Sequence, residues 1–156
     1  MNTYFRKLYE YDAWANERVL GCLIQQQVAD KKILGLMGHL FVAQLVWANR
    51  VMGLPPSPLK LWDDYKLAQL TDLGRQAREQ WLEFLEVNDD LHRKITYTNF
   101  SGKPFTSEVQ NIMVQVINHS TYHRGQVAIL LPPLGFKAVN TDFITYERTL
   151  SDQLKG

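Results

Sequence analysis

Apolar residues recur at helical spacing along most of the chain. Phe5, Leu8, Ala15, Val19 and Leu23 share one face of a first helix, from about Thr3 to Gln26, and a single acid, Asp12, interrupts that seam. A short break at Val28 to Asp30 ends it, and Asp30 is placed to cap a second helix over about Lys31 to Met52. So short a break predicts that these two helices are antiparallel neighbours. From Ile33 to Asn49 the second helix carries no Asp, Glu, Lys or Arg, but it contains His39 and Gln44. A membrane span needs about 20 predominantly apolar residues, so this pattern describes a buried bundle helix.

After Gly53 the segment LPPSPLKLWDDYKLAQL cannot continue the helix, because Pro55, Pro56 and Pro58 break it. Extended, it spans roughly 50 Å, enough to return along a helix of about 30 Å and leave the third helix parallel to the second. Thr71 is the expected cap of that third helix, whose apolar face is Leu73, Ala77, Trp81, Phe84 and Leu85. ITYTNFSGKPF alternates β-favouring residues around Ser101-Gly102 and predicts a small hairpin. Ser107 with Gln110 matches a capping box for a fourth helix, which runs to Leu131 and stops at Pro132-Pro133. A further short helix is expected over about Val139 to Leu150. The sum is an all-α chain, one domain over residues 1–156. It is expected to be a four-helix bundle with a long crossover between helices two and three and a small hairpin before helix four.

Composition narrows the function. The chain has 156 residues with 17 basic against 16 acidic, interspersed, so no basic stripe supports a nucleic-acid partner. The N-terminus has charges scattered through it and no signal-peptide core, and no run suits a membrane. The single cysteine, Cys22, excludes an internal disulfide and any multi-cysteine zinc site. A cytoplasmic setting is therefore expected.

The departure from ordinary helix composition is NHSTYHRGQ, where His119 and His123 lie one helical turn apart and share a face with Ile112, Val116, Val127 and Leu130. His39 stands on a second apolar face, among Leu36, Val42, Ala43 and Val46. His92 sits instead among Asp89, Asp90, Arg93 and Lys94, at the solvated end of helix three. Two readings stand for the other three. Each imidazole is a core residue donating to a carbonyl or hydroxyl, or the three converge on a metal and leave a fourth position open. Gly35, Gly38 and Gly125 near the histidines suggest close packing there. A zincin-type protease is not supported, because Ser120 stands where that motif has glutamate.

Several segments together resemble the DinB-like metal-binding proteins, a family grouped with thiol-dependent S-transferases and maleylpyruvate isomerases. YEYDAWANERVL resembles the family's opening, with Asp12, Trp14, Ala15 and Asn16 in place. GHLFVAQLVWANRVMG resembles the segment supplying the first metal histidine, here His39, and NHSTYHRGQVAILL the segment supplying His119 and His123. LGF…TDFITYE, with Asp142, is also family-like. The resemblance implies a four-helix bundle in up-down-down-up order, with a divalent metal, zinc or nickel, on three histidines. It also implies a small-molecule substrate that is a low-molecular-weight thiol such as bacillithiol or mycothiol, and a homodimer. It departs from the family at Gln44, where an acid is common, and at Pro132-Pro133.

A metal on three neutral histidines keeps its full charge and can activate a thiol, as in S-transferases, or water, as in hydrolases. A non-catalytic, damage-inducible stress-response module is the third expectation. Asp12 is a candidate base or water-positioning group in the hydrolase reading, or else a buried acid that pairs with Arg124 or orients a ligand histidine. Gln126 is a candidate for the pocket wall or for packing.

Overall fold

The computed structural model describes residues 2–153. Its first helix, α1 (Asn2–Gln25), ends where Gln27 adopts a left-handed conformation and the Val28 amide bonds back to the Leu23 carbonyl. The second, α2 (Lys31–Met52), starts as expected, with the Asp30 carboxylate accepting from the Ile33 amide at 2.9 Å. It stops at Gly53, whose φ of 69° lets the Leu54 amide reach the Asn49 carbonyl at 2.8 Å.

The third helix, α3 (Leu67–Val87), begins four residues before the expected cap. Thr71 lies inside it, its hydroxyl bonded back to the Leu67 carbonyl, and Gln69 receives the Lys66 amide at 2.9 Å instead. The hairpin forms from β1 (Lys94–Thr98) and β2 (Pro104–Glu108), antiparallel with Ile95 opposite Ser107. Gly102, at φ 81°, supplies the positive dihedral its turn requires.

Ser107 is therefore a strand residue and not the cap of helix four. That helix, α4 (Val109–Leu130), starts two residues later, where the Val109 and Gln110 amides bond to the Arg93 and Leu91 carbonyls. Long-range backbone partners do there what a capping side chain was expected to do. A short 3₁₀ turn at Pro132–Leu134 follows, then α5 (Phe143–Gln153), which packs on α1 through Tyr11, Phe143 and Tyr146.

Neighbouring residues set the helix directions. Phe41, Gln44 and Asn49 of α2 meet Gly74, Trp81 and Gln80 of α3, so the two run the same way. His39 and Gln44 meet His123 and Ser120 of α4, which runs oppositely. Contrary to expectation, α1 and α2 are not close-packed neighbours. Each lies along α3 and α4, and the two meet across the bundle centre, where Gln44 bonds Asp12.

The core is apolar on both sides of this polar centre. Toward one end Leu23, Ile33, Met37, Leu40 and Leu70 are fully buried, and toward the other Trp81, Phe84, Leu85 and Met113. Each such side chain contributes roughly 1.5–3 kcal/mol by leaving water. Among the described residues no helix is long and apolar enough to cross a membrane.

Candidate metal centre

Each of the three histidines is carried by a rigid helix, His39 by α2 and the other pair by adjacent turns of α4. The tertiary fold points all three Nε2 atoms at one spot. His119 Nε2 lies 3.3 Å from His39 Nε2 and 3.1 Å from His123 Nε2. The three ligand atoms lie within 4.8 Å of one another. Four-coordinate zinc with Zn–N of about 2.0–2.1 Å would separate its ligand atoms by about 3.3 Å, so the spacing suits a shared cation.

The opposite ring nitrogens explain why hydrogen bonding alone does not account for the cluster. His39 Nδ1 donates to the Leu61 carbonyl at 3.1 Å, and His123 Nδ1 faces the Gln126 amide oxygen at 2.7 Å. With those protons on Nδ1, both Nε2 atoms are bare lone pairs in the neutral tautomer. One proton on His119 Nε2 satisfies at most one of them. At least one lone pair then faces a second nitrogen with nothing between, unless a cation enters.

A proton is a poor candidate for that cation. Burial, with His123 and His39 nearby, pushes the His119 imidazole down to about 4. Burial also lowers His39. Burial thus favours the neutral imidazole at His119 and His39, the form a metal requires.

The linker between α2 and α3 completes the surroundings of His39. The Tyr65 ring lies directly over Gly38, where a Cβ would collide with it. Tyr65 donates to the Lys60 carbonyl, which draws the intervening loop against α2. The loop brings the Leu61 carbonyl to His39 and stacks Trp62 on its ring, 3.9 Å between centres and 8° from parallel. Of the three glycines expected to pack closely, only Gly38 does, since Gly35 and Gly125 face open space.

A second polar cluster lies deeper. Asp12 accepts from Arg124 Nη1 at 2.5 Å, from Gln44 at 2.6 Å and from Asn16 at 3.0 Å. Gln44 also donates to Ser120 at 2.8 Å, and Arg124 to Asn16. Ser120 and Arg124 each directly follow a histidine, so this cluster sets the rotation of α4 that presents His119 and His123. Asp12 takes the role of a buried acid paired with Arg124. Gln126 contacts His123 directly. His92 stays at the surface, beside Gln110 and Glu108.

The Leu61 carbonyl has no signature in sequence, and Trp62 was legible only as an aromatic in a linker. Gln44 was visible only as a departure. Its amide donates to Asp12, whereas a carboxylate there would confront a second carboxylate.

The model of the DinB family matches residues 1–153. A relative called Protein DinB, from Bacillus subtilis, is 25% identical over 163 residues, covering 94% of this chain and 95% of its own. A crystal structure of a DinB-like protein from Bacillus cereus superposes with a TM-score of 0.59 at 18% identity, over 87% of this chain and 94% of that one. That last likeness speaks for the fold alone.

Proposed function

This chain belongs to the DinB family, and we propose that it is a divalent-metal protein that activates a small thiol for transfer to an electrophile. The observation that carries the reading is the convergence of three Nε2 atoms at 3.1 and 3.3 Å. His39, His119 and His123 would hold the metal, zinc or nickel, and among the described residues no carboxylate joins their group. A divalent cation held there supplies undiminished positive charge, which favours the deprotonated form of a thiol.

The remaining chemistry belongs to the chain's own residues. The Leu61 carbonyl and Gln126 hold the Nδ1 protons of His39 and His123, and so keep both Nε2 atoms available. Trp62 shields one face of His39. The sulfur has to come from a substrate, because Cys22 is the chain's single cysteine and is buried, its Sγ donating to the Lys137 carbonyl. A hydrolase reading loses its candidate base, because Asp12 is engaged by Arg124, Asn16 and Gln44.

Supporting readings complete the proposal. The chain is read as one domain, and the helix pairings above favour the up-down-down-up order. A homodimer is favoured by the outer face of α4, where Val114, Tyr122 and Ile129 are exposed and no exposed residue is charged. A cytoplasmic, reducing setting suits a lone free thiol.

Metal analysis of untagged protein, purified without chelator or nickel resin, tests the site and should find about one divalent ion per chain. Cobalt-substituted protein should then develop a sulfur-to-metal charge-transfer band on addition of bacillithiol or mycothiol. Metal without such a band for any low-molecular-weight thiol would overturn the transferase reading and leave a metal-binding module. No metal, even after reconstitution, would overturn both.

A further inference from the structure

Beyond His39, α2 leads into a second concave region. A groove of about 510 Å³ lies between the end of α2, the first linker residues and β1, lined by Val46, Asn49, Arg50, Leu59, Tyr97 and Phe100 among others. Its walls are mostly apolar, yet a cation stands in it. The Arg50 guanidinium lies 4.7 Å from the Trp47 ring centre, 5.2 Å from Tyr97 and 5.3 Å from Phe100. Its Nη2 donates to the Thr98 carbonyl at 3.0 Å.

Rings and carbonyl hold this guanidinium in place and exclude part of its water, and burial accordingly lowers its pKa. Arg18 lies over a ring and Arg93 on a ring and a carbonyl, while Arg6, Arg75, Arg78 and Arg124 have acidic partners. Arg50 has none among the described residues. The aromatic contacts offset some of the missing water, but none of them neutralises the charge. An immobilised, partly dried and unpaired guanidinium is the condition under which a carboxylate binds well, because little ordering or desolvation remains to be done.

We propose that this groove binds a small organic carboxylate with an apolar body. The carboxylate meets the free edge of the Arg50 fork, and the body lies against Val46, Leu59 and Phe100. A carboxylate suits the site better than an inorganic anion, because the lining beyond Arg50 is chiefly apolar. Arg50 follows His39 by 11 residues, about 16 Å along the helix axis, so the site is distinct from the metal centre and does not depend on the metal reading.

The probe is hexanoate, with hexanamide as its uncharged counterpart, titrated into the full ¹⁵N-labelled chain and followed by NMR. Hexanoate should give saturable shifts at the Arg50 side-chain Nε–H and at the Tyr97 and Thr98 amides. Hexanamide should bind at least tenfold more weakly, and Arg50→Gln should weaken hexanoate at least tenfold with helix content retained. Equal binding of the two probes, unsaturable shifts or an undiminished affinity in Arg50→Gln would overturn the proposal and leave Arg50 as a pin between α2 and the hairpin. Should Arg50→Gln fail to fold, the acid–amide comparison on the natural chain decides alone.

Discussion

Two polar clusters share the centre of this bundle, and they are built on opposite principles. Around Asp12, donors and acceptors match. One carboxylate receives Arg124, Asn16 and Gln44, and opposite charges meet at 2.5 Å in a setting only 2% exposed. Only Arg124 Nε lacks a protein partner among the described residues. Around His119, two lone pairs converge on one ring nitrogen that can satisfy at most one of them, and the outward nitrogens of His39 and His123 are already engaged. A buried cluster that balances its own charges and hydrogen bonds stabilises one arrangement of helices. A cluster of converging lone pairs is completed only by something from outside. The first is structure, and the second could hold a metal ion.

Removing a ligand should separate them most sharply. His119→Ala is expected to abolish stoichiometric metal while the bundle stays folded, whereas His92→Ala leaves metal content unchanged. Elemental analysis beside circular dichroism reads both, and full metal in His119→Ala would remove that residue from the site. Asp12→Ala should do the reverse, at a cost of about 3–5 kcal/mol in denaturant unfolding, because Arg124 would be left charged, buried and unpaired. A loss below about 1 kcal/mol would mean that Arg124 finds water without Asp12.

Gln126→Ala tests the support of a ligand and should weaken metal binding about 10–100-fold in competition with a chelator of known affinity. An unchanged affinity would make that contact incidental. The last test concerns acid. In metal-free protein His119 binds its proton near 4, against about 6.5 in the unfolded chain. Below about 6.5 the unfolded state therefore binds more protons, and stability should decline as pH falls from there toward about 4. Saturating metal should shift this decline to lower pH. A metal-free protein equally stable at pH 7 and pH 4.5 would contradict the burial assigned to His119.

Much of this architecture was legible in the chain because it rests on local periodicity. The bounds of α2, the Asp30 cap, the break at Gly53 and the prolines after α4 all follow from residues within a turn of the feature they cause. The misplaced starts have the opposite origin. Thr71 has the chemistry of a cap, but Gln69 reached the Lys66 amide first. Ser107 and Gln110 have capping-box spacing, but pairing with Ile95 drew Ser107 into a strand, and the loop carbonyls of Leu91 and Arg93 took the first amides of α4. Each outcome turned on a partner or competing contact that spacing alone does not rank.

The site divides in the same way. The residue types and the single-turn spacing of His119 and His123 determined which side chains share a helix face, because helical geometry is local. The sequence alone also singled out His39 by the apolar face that carries it, and excluded His92 by its charged surroundings. Only the tertiary structure decided that three Nε2 atoms meet, that Asp12 belongs to Arg124, and that a linker carbonyl and Trp62 hold His39. Those contacts join residues far apart in the chain, and packing between helices sets their distances. No repeat along the sequence encodes a distance of 3.3 Å between the imidazoles of His39 and His119.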